Sequence, residues 1–518
     1  MAERASFRDG MTFAALSFGT LALLGIGSSV AVARIYGIEA VGAYALALAP
    51  SGALAMLSTV REQVGLVREL SLLEARAPRV TGLFAAVFAF SLALTIVVAA
   101  IVTAVSYLLL TGPIDRPDLF APALALVAGF VVLMNTCWNL DMVLSAFRCG
   151  RELFWIRLLQ ALAFLIFAVV AAQAFPGVWG LTLATLGSFL IGLLHRLLCV
   201  RAFMRWTVSR SELREGFRTL PELIRMGLKI APGSVVSGIS MEAATWVLAA
   251  LVPVAALGAY NRAWMLGKRF IDLSWQLTEM VFPTLTRRRA EGDHEGFDRA
   301  LVDSIRYSVT VMLLPAAVGG GAAYGVMSVF GPGFSQGAGA LPFILVLPAI
   351  SIVAAMLGTA LFSVDRLVTS TLITIVGKLV VIGLTFVLPL WLGITGAAVA
   401  LVVGYTLETV WMGWVVRPYL TRSLAELWPP REVLAVVLAS SAGFAVARAV
   451  DSSLPGVAGL AAALTSGSVT YAAAFLATGG LNPRDWERLA SLRAGFRRRR
   501  FPGTSRPSES RRPERARS

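Results

Sequence analysis

Apolar runs of roughly twenty residues or more, separated by short polar or basic connections, recur along the whole chain. They fall near 11–33, 40–60, 80–110, 121–146, 153–174, 177–199, 229–251, 256–283, 304–330, 340–363, 368–390, 394–416, 431–450 and 456–479. A helix rising about 1.5 Å per residue needs about 20 residues to cross a hydrocarbon core of about 30 Å. Inside that core only helices and closed barrels satisfy their own backbone polar groups, and barrel strands need only about 9–11 residues. The pattern therefore predicts an all-α polytopic membrane protein with about fourteen transmembrane helices.

Composition agrees. Of 518 residues, 57% are hydrophobic and 14% charged, against about 25% charged in an average soluble domain. The mean hydropathy is +0.76. A basic start through Asp9 and the small residues Ala31-Val32-Ala33 give the first run a superficial likeness to a secretory signal. The run is longer than the apolar part of such signals, so an uncleaved first helix is expected. The three cysteines, Cys137, Cys149 and Cys199, are an odd number without CxxC spacing, and His195 and His294 are the only histidines. These residues offer neither a metal set nor a histidine-dependent nucleophile, and no cofactor is expected.

Cations divide the connections into two classes. Those after the second, sixth and eighth runs hold Arg61, Arg68, Arg76 and Arg79, then Arg201 through Arg225, then Arg287, Arg288, Arg289 and Arg299, and the connection after the twelfth holds Arg417, Arg422 and Arg431. Odd-numbered connections carry only Arg34, Arg116 and Arg448. The positive-inside rule then places both termini and the even connections in the cytoplasm, with the chain in the cytoplasmic (inner) membrane. After Leu481 the composition turns to arginine, proline, serine and glutamate, which predicts a disordered basic tail attracted to anionic lipid headgroups. Nucleic acid is the weaker partner for a net charge of +15, because no soluble domain is available to bind it.

Two short motifs repeat at one spacing. Val41-Gly42-Ala43-Tyr44 returns as Leu257-Gly258-Ala259-Tyr260, and Gly177-Val178-Trp179-Gly180 as Gly393-Ile394-Thr395-Gly396, each 216 residues later. Six helices per repeat is an even number, so both copies enter the membrane in the same direction. Parallel repeats of this kind place a substrate path between two lobes. The expected organisation is an N-lobe at 1–200, a cytoplasmic linker at 201–228, a C-lobe at 229–420, two added helices within 431–480, and the tail at 481–518.

Polar residues inside apolar runs are the candidate chemistry. In the eighth run Arg262, Arg269, Asp272, Gln276 and Glu279 share a stripe about 100° wide, at about 100° per residue, while a separate face with Leu266, Phe270, Leu277 and Val281 is apolar. Such charges normally face a bundle interior or wet cavity. The alternative is local pairing of Arg269 with Asp272, with Glu279 at the membrane surface. The positions 216 earlier than Arg262, Arg269 and Asp272 are Leu46, Ala53 and Met56, so the repeat does not itself require charge there. Lys378, one of three lysines, is expected to point inward, and Glu408 lies within the twelfth run. Asn135, Asn139 and Asp141 read as hydrogen-bonded packing between helices.

The stretches Ala33-Arg34-Ile35-Tyr36-Gly37 through Gly42-Ala43-Tyr44-Ala45-Leu46-Ala47, and Leu257-Gly258-Ala259-Tyr260-Asn261-Arg262-Ala263 through Phe282-Pro283-Thr284-Leu285, resemble the polysaccharide flippase branch of the multidrug/oligosaccharidyl-lipid/polysaccharide exporter superfamily. With the repeat and the helix count, the likeness extends over about 480 residues. It implies a transporter rather than an enzyme, moving a polyprenyl-diphosphate-linked oligosaccharide by alternating access, in possible company with glycan polymerase or glycosyltransferase machinery. Arg262, Arg269, Gln276 and Lys378 are then candidate substrate contacts, since guanidinium forks suit diphosphate oxygens. Asp272, Glu279, Glu242 and Glu408 are candidates for ion coupling or charge balance. An aspartate common in the family just before the second Gly-Tyr motif is replaced here by Met241-Glu242-Ala243. A peptidoglycan lipid II flippase and a multidrug or cation antiporter are the alternatives within the superfamily.

Overall fold

The structure is a computed structural model that describes residues 7–423, 426, 428–482 and 485–487, without the side chains of 7–18, 64, 275, 276, 279, 280 and 283. The expected basic tail therefore lies, beyond residue 487, outside the described residues. Regular structure among them is helical throughout. In chain order the helices are α1 (Phe7–Leu54), α2 (Glu62–Ser71), α3 (Pro78–Thr111), α4 (Phe120–Val127), α5 (Met134–Ala146), α6 (Gly150–Ala174), α7 (Val178–Val200) and α8 (Arg210–Gly227). The second half continues with α9 (Ala231–Leu251), α10 (Val254–Ala290), α11 (His294–Gly321), α12 (Ala323–Ser328), α13 (Leu341–Ser363), α14 (Leu367–Val387), α15 (Pro389–Val416), α16 (Pro430–Ser453) and α17 (Gly456–Ala477).

Twelve helices are long and apolar enough to cross a membrane among the described residues, two fewer than the sequence runs. The difference has two sources. The first two runs join in α1, where Gly37 breaks the helical path at φ 79°, ψ 172°, and count as one span, Gly19–Ser58. The eighth run is α10, which bears Arg262, Lys268, Arg269 and Asp272 in its middle and is not among the twelve.

The basic connections are more ordered than expected. Residues 201–228, read as a linker, contain α8, opened by a reciprocal cap: Ser209 Oγ accepts from the Glu212 amide at 3.2 Å and the Ser209 amide donates to Glu212 Oε2 at 2.8 Å. Such a box satisfies two amides that a helix start otherwise leaves unpaired. Helix α11 begins ten residues before the expected position, where Asp293 Oδ1 accepts from the Gly296 amide at 2.9 Å. It buries Phe297, Leu301 and Ile305.

The 216-residue repeat has a physical counterpart. A Cβ on Gly42 would stand 2.2 Å from the Val254 carbonyl oxygen and 3.0 Å from the Gly258 amide, and one on Gly258 would stand 2.3 Å from the Ile38 oxygen and 3.2 Å from the Gly42 amide. Equivalent glycines thus face each other reciprocally, as residues around a two-fold axis do. The second motif pair also matches in form: Gly177 and Gly393 both have positive φ, at 83° and 53°, just before α7 and early in α15.

Around this glycine contact lies one hydrophobic core shared by both halves, with Val32, Val41, Leu46, Leu181, Leu257, Tyr260, Trp264, Phe330, Phe334 and Leu345. Toward the basic connections it is succeeded by separate clusters. One gathers Leu66, Leu83, Leu144, Phe147, Val200 and Leu223 from the first half and α8; the other gathers Leu285, Phe297, Leu301, Leu357, Met412 and Val416 from the second. The halves share a core at the end opposite the basic connections; toward the basic end each also has a cluster of its own, while α1 and α9 stay packed, with Ile239 and Trp246 against Ala53 and Leu54.

Candidate polar track between the two halves

Helix α10 descends from the shared core into the zone where the clusters separate, and its charged stripe turns toward α1. Arg262 is buried, and its Nη1 donates to Ser29 Oγ of α1 at 2.7 Å. Its Nε has no partner among the described residues. Two turns further on, Arg269 lies against α1 at Gly25, where a Cβ would meet its Nη2 at 2.9 Å. Across the interface Glu242 of α9 reaches Gly52 of α1, where a Cβ would meet its Oε1 at 3.3 Å. Glycine on α1 makes space for a charged group of the second half in both places.

Lys268 and Asp272 are exposed on α10. Lys268 attracts both Glu242 and Asp272, and Arg269 attracts Asp272. No hydrogen bond or ion pair joins Arg269 to Asp272 among the described residues, so local pairing does not consume the arginine. Lys268 falls outside the stripe that periodicity defines, at its edge, about 20° beyond Glu279 at 100° per residue. Ser29, Gly25 and Gly52 carried no signal at all, because small residues in an apolar helix are ordinary until a charge is found against them. The side chains of Gln276 and Glu279 lie outside the described residues.

Other candidates have different surroundings. Lys378 Nζ donates to Glu408 Oε2 at 2.6 Å, and stands 3.0 Å from the Tyr405 ring centroid. Both members are about one-twentieth exposed, so this is a buried pair tying α14 to α15. The first half has a similar device: Arg196 Nε and Nη2 donate to Asp141 at 2.8 and 3.1 Å, and Nη1 donates to Gln160 at 2.9 Å. Asn135 and Asn139 donate to Ser91 at 2.9 and 3.0 Å, the interhelical packing expected of them. At the basic end, Arg306 of α11 donates to Glu432 at 2.7 Å and to Asp485 at 2.6 Å, fastening α16 and the residues after α17 to the second half.

Where α1 passes to α2, Glu62 is fully buried and accepts from Thr59 Oγ1 at 2.9 Å and the Val60 amide at 2.8 Å. Burial pushes its carboxyl above the usual carboxylate range, against these hydrogen bonds and Arg61. Arg61 in turn donates to Ser234 Oγ of α9 at 3.0 Å, crossing between halves.

These helices and paired halves give a polytopic all-helical membrane fold, and solved structures share it. The lipid II flippase MurJ, in its inward closed conformation, superposes with a TM-score of 0.67 at 13% identity, over 92% of this chain and 99% of that one. An inward-facing multidrug resistance MATE family transporter of the MOP superfamily gives 0.50 at 17% identity, over 79% and 95%. No curated protein sequence matches the chain. The family model described as polysaccharide biosynthesis protein matches residues 31–327, more than half of the length, and the chain belongs to that family.

Proposed function

We propose that this protein carries a polyprenyl-diphosphate-linked oligosaccharide across the cytoplasmic membrane by alternating access between two six-helix lobes, 1–200 and 229–420. In this reading α1 crosses twice, bent at Gly37, and α10 is a further crossing, which with the other helices makes fourteen. The even, basic connections and both termini are cytoplasmic. The observation that carries the reading is the placement of Arg262 and Arg269 against Ser29 and Gly25 of α1, with Lys268 exposed beside them, where the shared core gives way to two clusters. Charges in such a place are expensive to keep unless something anionic or wet faces them.

Arg269 and Lys268 hold the diphosphate of the substrate, Arg269 by its planar fork and Lys268 as a point charge. Arg262, anchored to Ser29, adds positive potential nearer the shared core. Gln276 offers hydrogen bonds to the sugar or phosphate. Glu242, Asp272 and Glu279 balance these cations between transport cycles or take a coupling cation. Lys378 and Glu408 serve chiefly each other. Glycan-assembling enzymes supply the substrate on the cytoplasmic side.

Arg269→Ala is expected to abolish export and leave lipid-linked saccharide on the cytoplasmic leaflet. Arg269→Ala with Asp272→Ala, which leaves no carboxylate stranded, should be present at wild-type level and still not export. Normal export by the double variant would remove Arg269 from the site. A second reading, lipid II as cargo, is favoured by the near-complete overlap with MurJ; it keeps the diphosphate contacts and changes the glycan. Rescue of cells depleted of their lipid II flippase would select it.

A further inference from the structure

At the end opposite the basic connections the chain has three cations, Arg34, Arg116 and Arg448, in an arrangement that topology alone does not explain. Arg116 is neutralised by Asp118, to which it donates twice at 2.8 Å. Arg34 and Arg448 have no carboxylate partner among the described residues, and both line one cleft of about 510 Å³. Arg34, near the Gly37 bend of α1, spends only its Nε, on the Val329 carbonyl at 2.8 Å. This contact joins the first half to the segment after α12. Arg448 is on α16, one of the two helices outside the repeat, and is exposed.

The rest of the lining suits a phosphate on an amphiphile. Tyr324, Ser328 and Ser452 bring hydroxyls to the cleft. Asp451 also borders it, but both its carboxylate oxygens accept from the Gly325 amide, each at 3.1 Å. Beside the arginines the rim is apolar, with Leu454 half exposed and Val457 71% exposed. A second cleft, of about 670 Å³, shares Arg34, Tyr324 and Ser328 and extends the surface along residues 331–335.

We propose that this cleft is an anion site on the outer face that receives a phosphate-bearing headgroup, with Arg34 and Arg448 as its paired donors and the Leu454–Val457 rim taking the adjoining lipid chain. Two arginines closing on one headgroup, one from α1 of the first half and one from the added α16, can bind it together only when those helices lie side by side at this end, as they do here. The site deepens the transport reading above and rests on it for direction: it is where the diphosphate stands on leaving the interior track.

Full-length protein in lipid nanodiscs, bearing Ser452→Cys as reporter, tests the proposal with an impermeant maleimide. The native cysteines are buried or half-buried, and their labelling is subtracted with the parent protein. Polyprenyl diphosphate at about ten times its dissociation constant should slow labelling of the reporter by about tenfold, the free fraction that mass action leaves. Arg34→Gln with Arg448→Gln should remove that protection while leaving the unliganded rate unchanged, and the Arg34→Lys, Arg448→Lys pair should retain most of it. Protection by inorganic pyrophosphate as well would mean that the headgroup suffices; protection by the lipid alone would mean that the apolar rim contributes. Absence of protection by both, or protection that survives the double glutamine change, overturns the site. Export is measured separately in cells: an unprotected reporter in an exporting protein defeats the cleft alone, while a protein that exports nothing defeats the transport reading whatever the cleft binds.

Discussion

Single residues divide by whether a buried charge has a partner. Lys378 and Glu408 satisfy each other, so removing one member strands the other; Glu408→Leu is expected to cost about 3–5 kcal/mol. Replacing both by apolar residues of similar size should recover most of that loss, as thermal unfolding in detergent would register. Glu62 behaves differently because burial raises its pKa. The sign follows from linkage: a carboxyl whose folded pKa lies above its unfolded value binds its proton more tightly in the folded state. Stability is then greatest below the ordinary carboxylate pKa and falls as pH rises through the raised one. Glu62→Gln should therefore flatten that decline, stabilising the protein at neutral pH relative to acid, and a variant that unfolds with the wild-type pH profile would contradict it. The charged stripe itself was legible from helical periodicity, and so was the packing role of Asn135 and Asn139. The partners of these residues were not, since the faces that meet across α1 and α10 are more than two hundred residues apart in the chain and only the fold brings Ser29 to Arg262.

At the scale of elements, the close approach of Gly42 and Gly258 leaves no room for a side chain between α1 and α10. Gly258→Val should cost more than the about 1–3 kcal/mol of ordinary overpacking, because backbone atoms rather than a flexible side chain oppose the new Cβ. Faster proteolysis at the connections of the variant would report it; a Gly258→Val protein as resistant as wild type would not fit the packing. Ser209→Ala removes the cap of α8 and is expected to lower stability by about 1 kcal/mol. Long apolar runs gave reliable helices here because the membrane demands them, whereas α2 and α8 fell in connections where charge was read as linker. For α8 the signal was local: the Ser209-x-x-Glu212 spacing of a capping box and buried Leu220 and Leu223 on one face. The break at Gly37 was legible as the gap between the first two apolar runs, with Arg34 and Glu39 beside it; that the two segments meet at a single non-helical residue was not.

For the whole molecule, two independent patterns in the sequence, the cation alternation and the 216-residue offset, describe one architecture. The reciprocal glycines and the core around them join the two halves, and the charged face of α10 lies against α1 between them. Topology is checked by cysteines at Arg214 and Arg289, which should resist an impermeant thiol reagent outside intact cells; labelling of Arg214→Cys would invert the orientation. The count of crossings is harder to read than their existence, because α10 trades apolar surface for charge and the two segments of α1 meet at one glycine without a loop between them. The most direct test of the whole account is headgroup translocation in vesicles of purified protein. Fluorescent polyprenyl-diphosphate oligosaccharide placed in both leaflets is probed with a membrane-impermeant quencher under the ion gradients of the cell. The account predicts that wild-type protein carries the protected fraction to the accessible leaflet and that Arg269→Ala leaves it protected. Vesicles in which wild type behaves like lipid alone would contradict it.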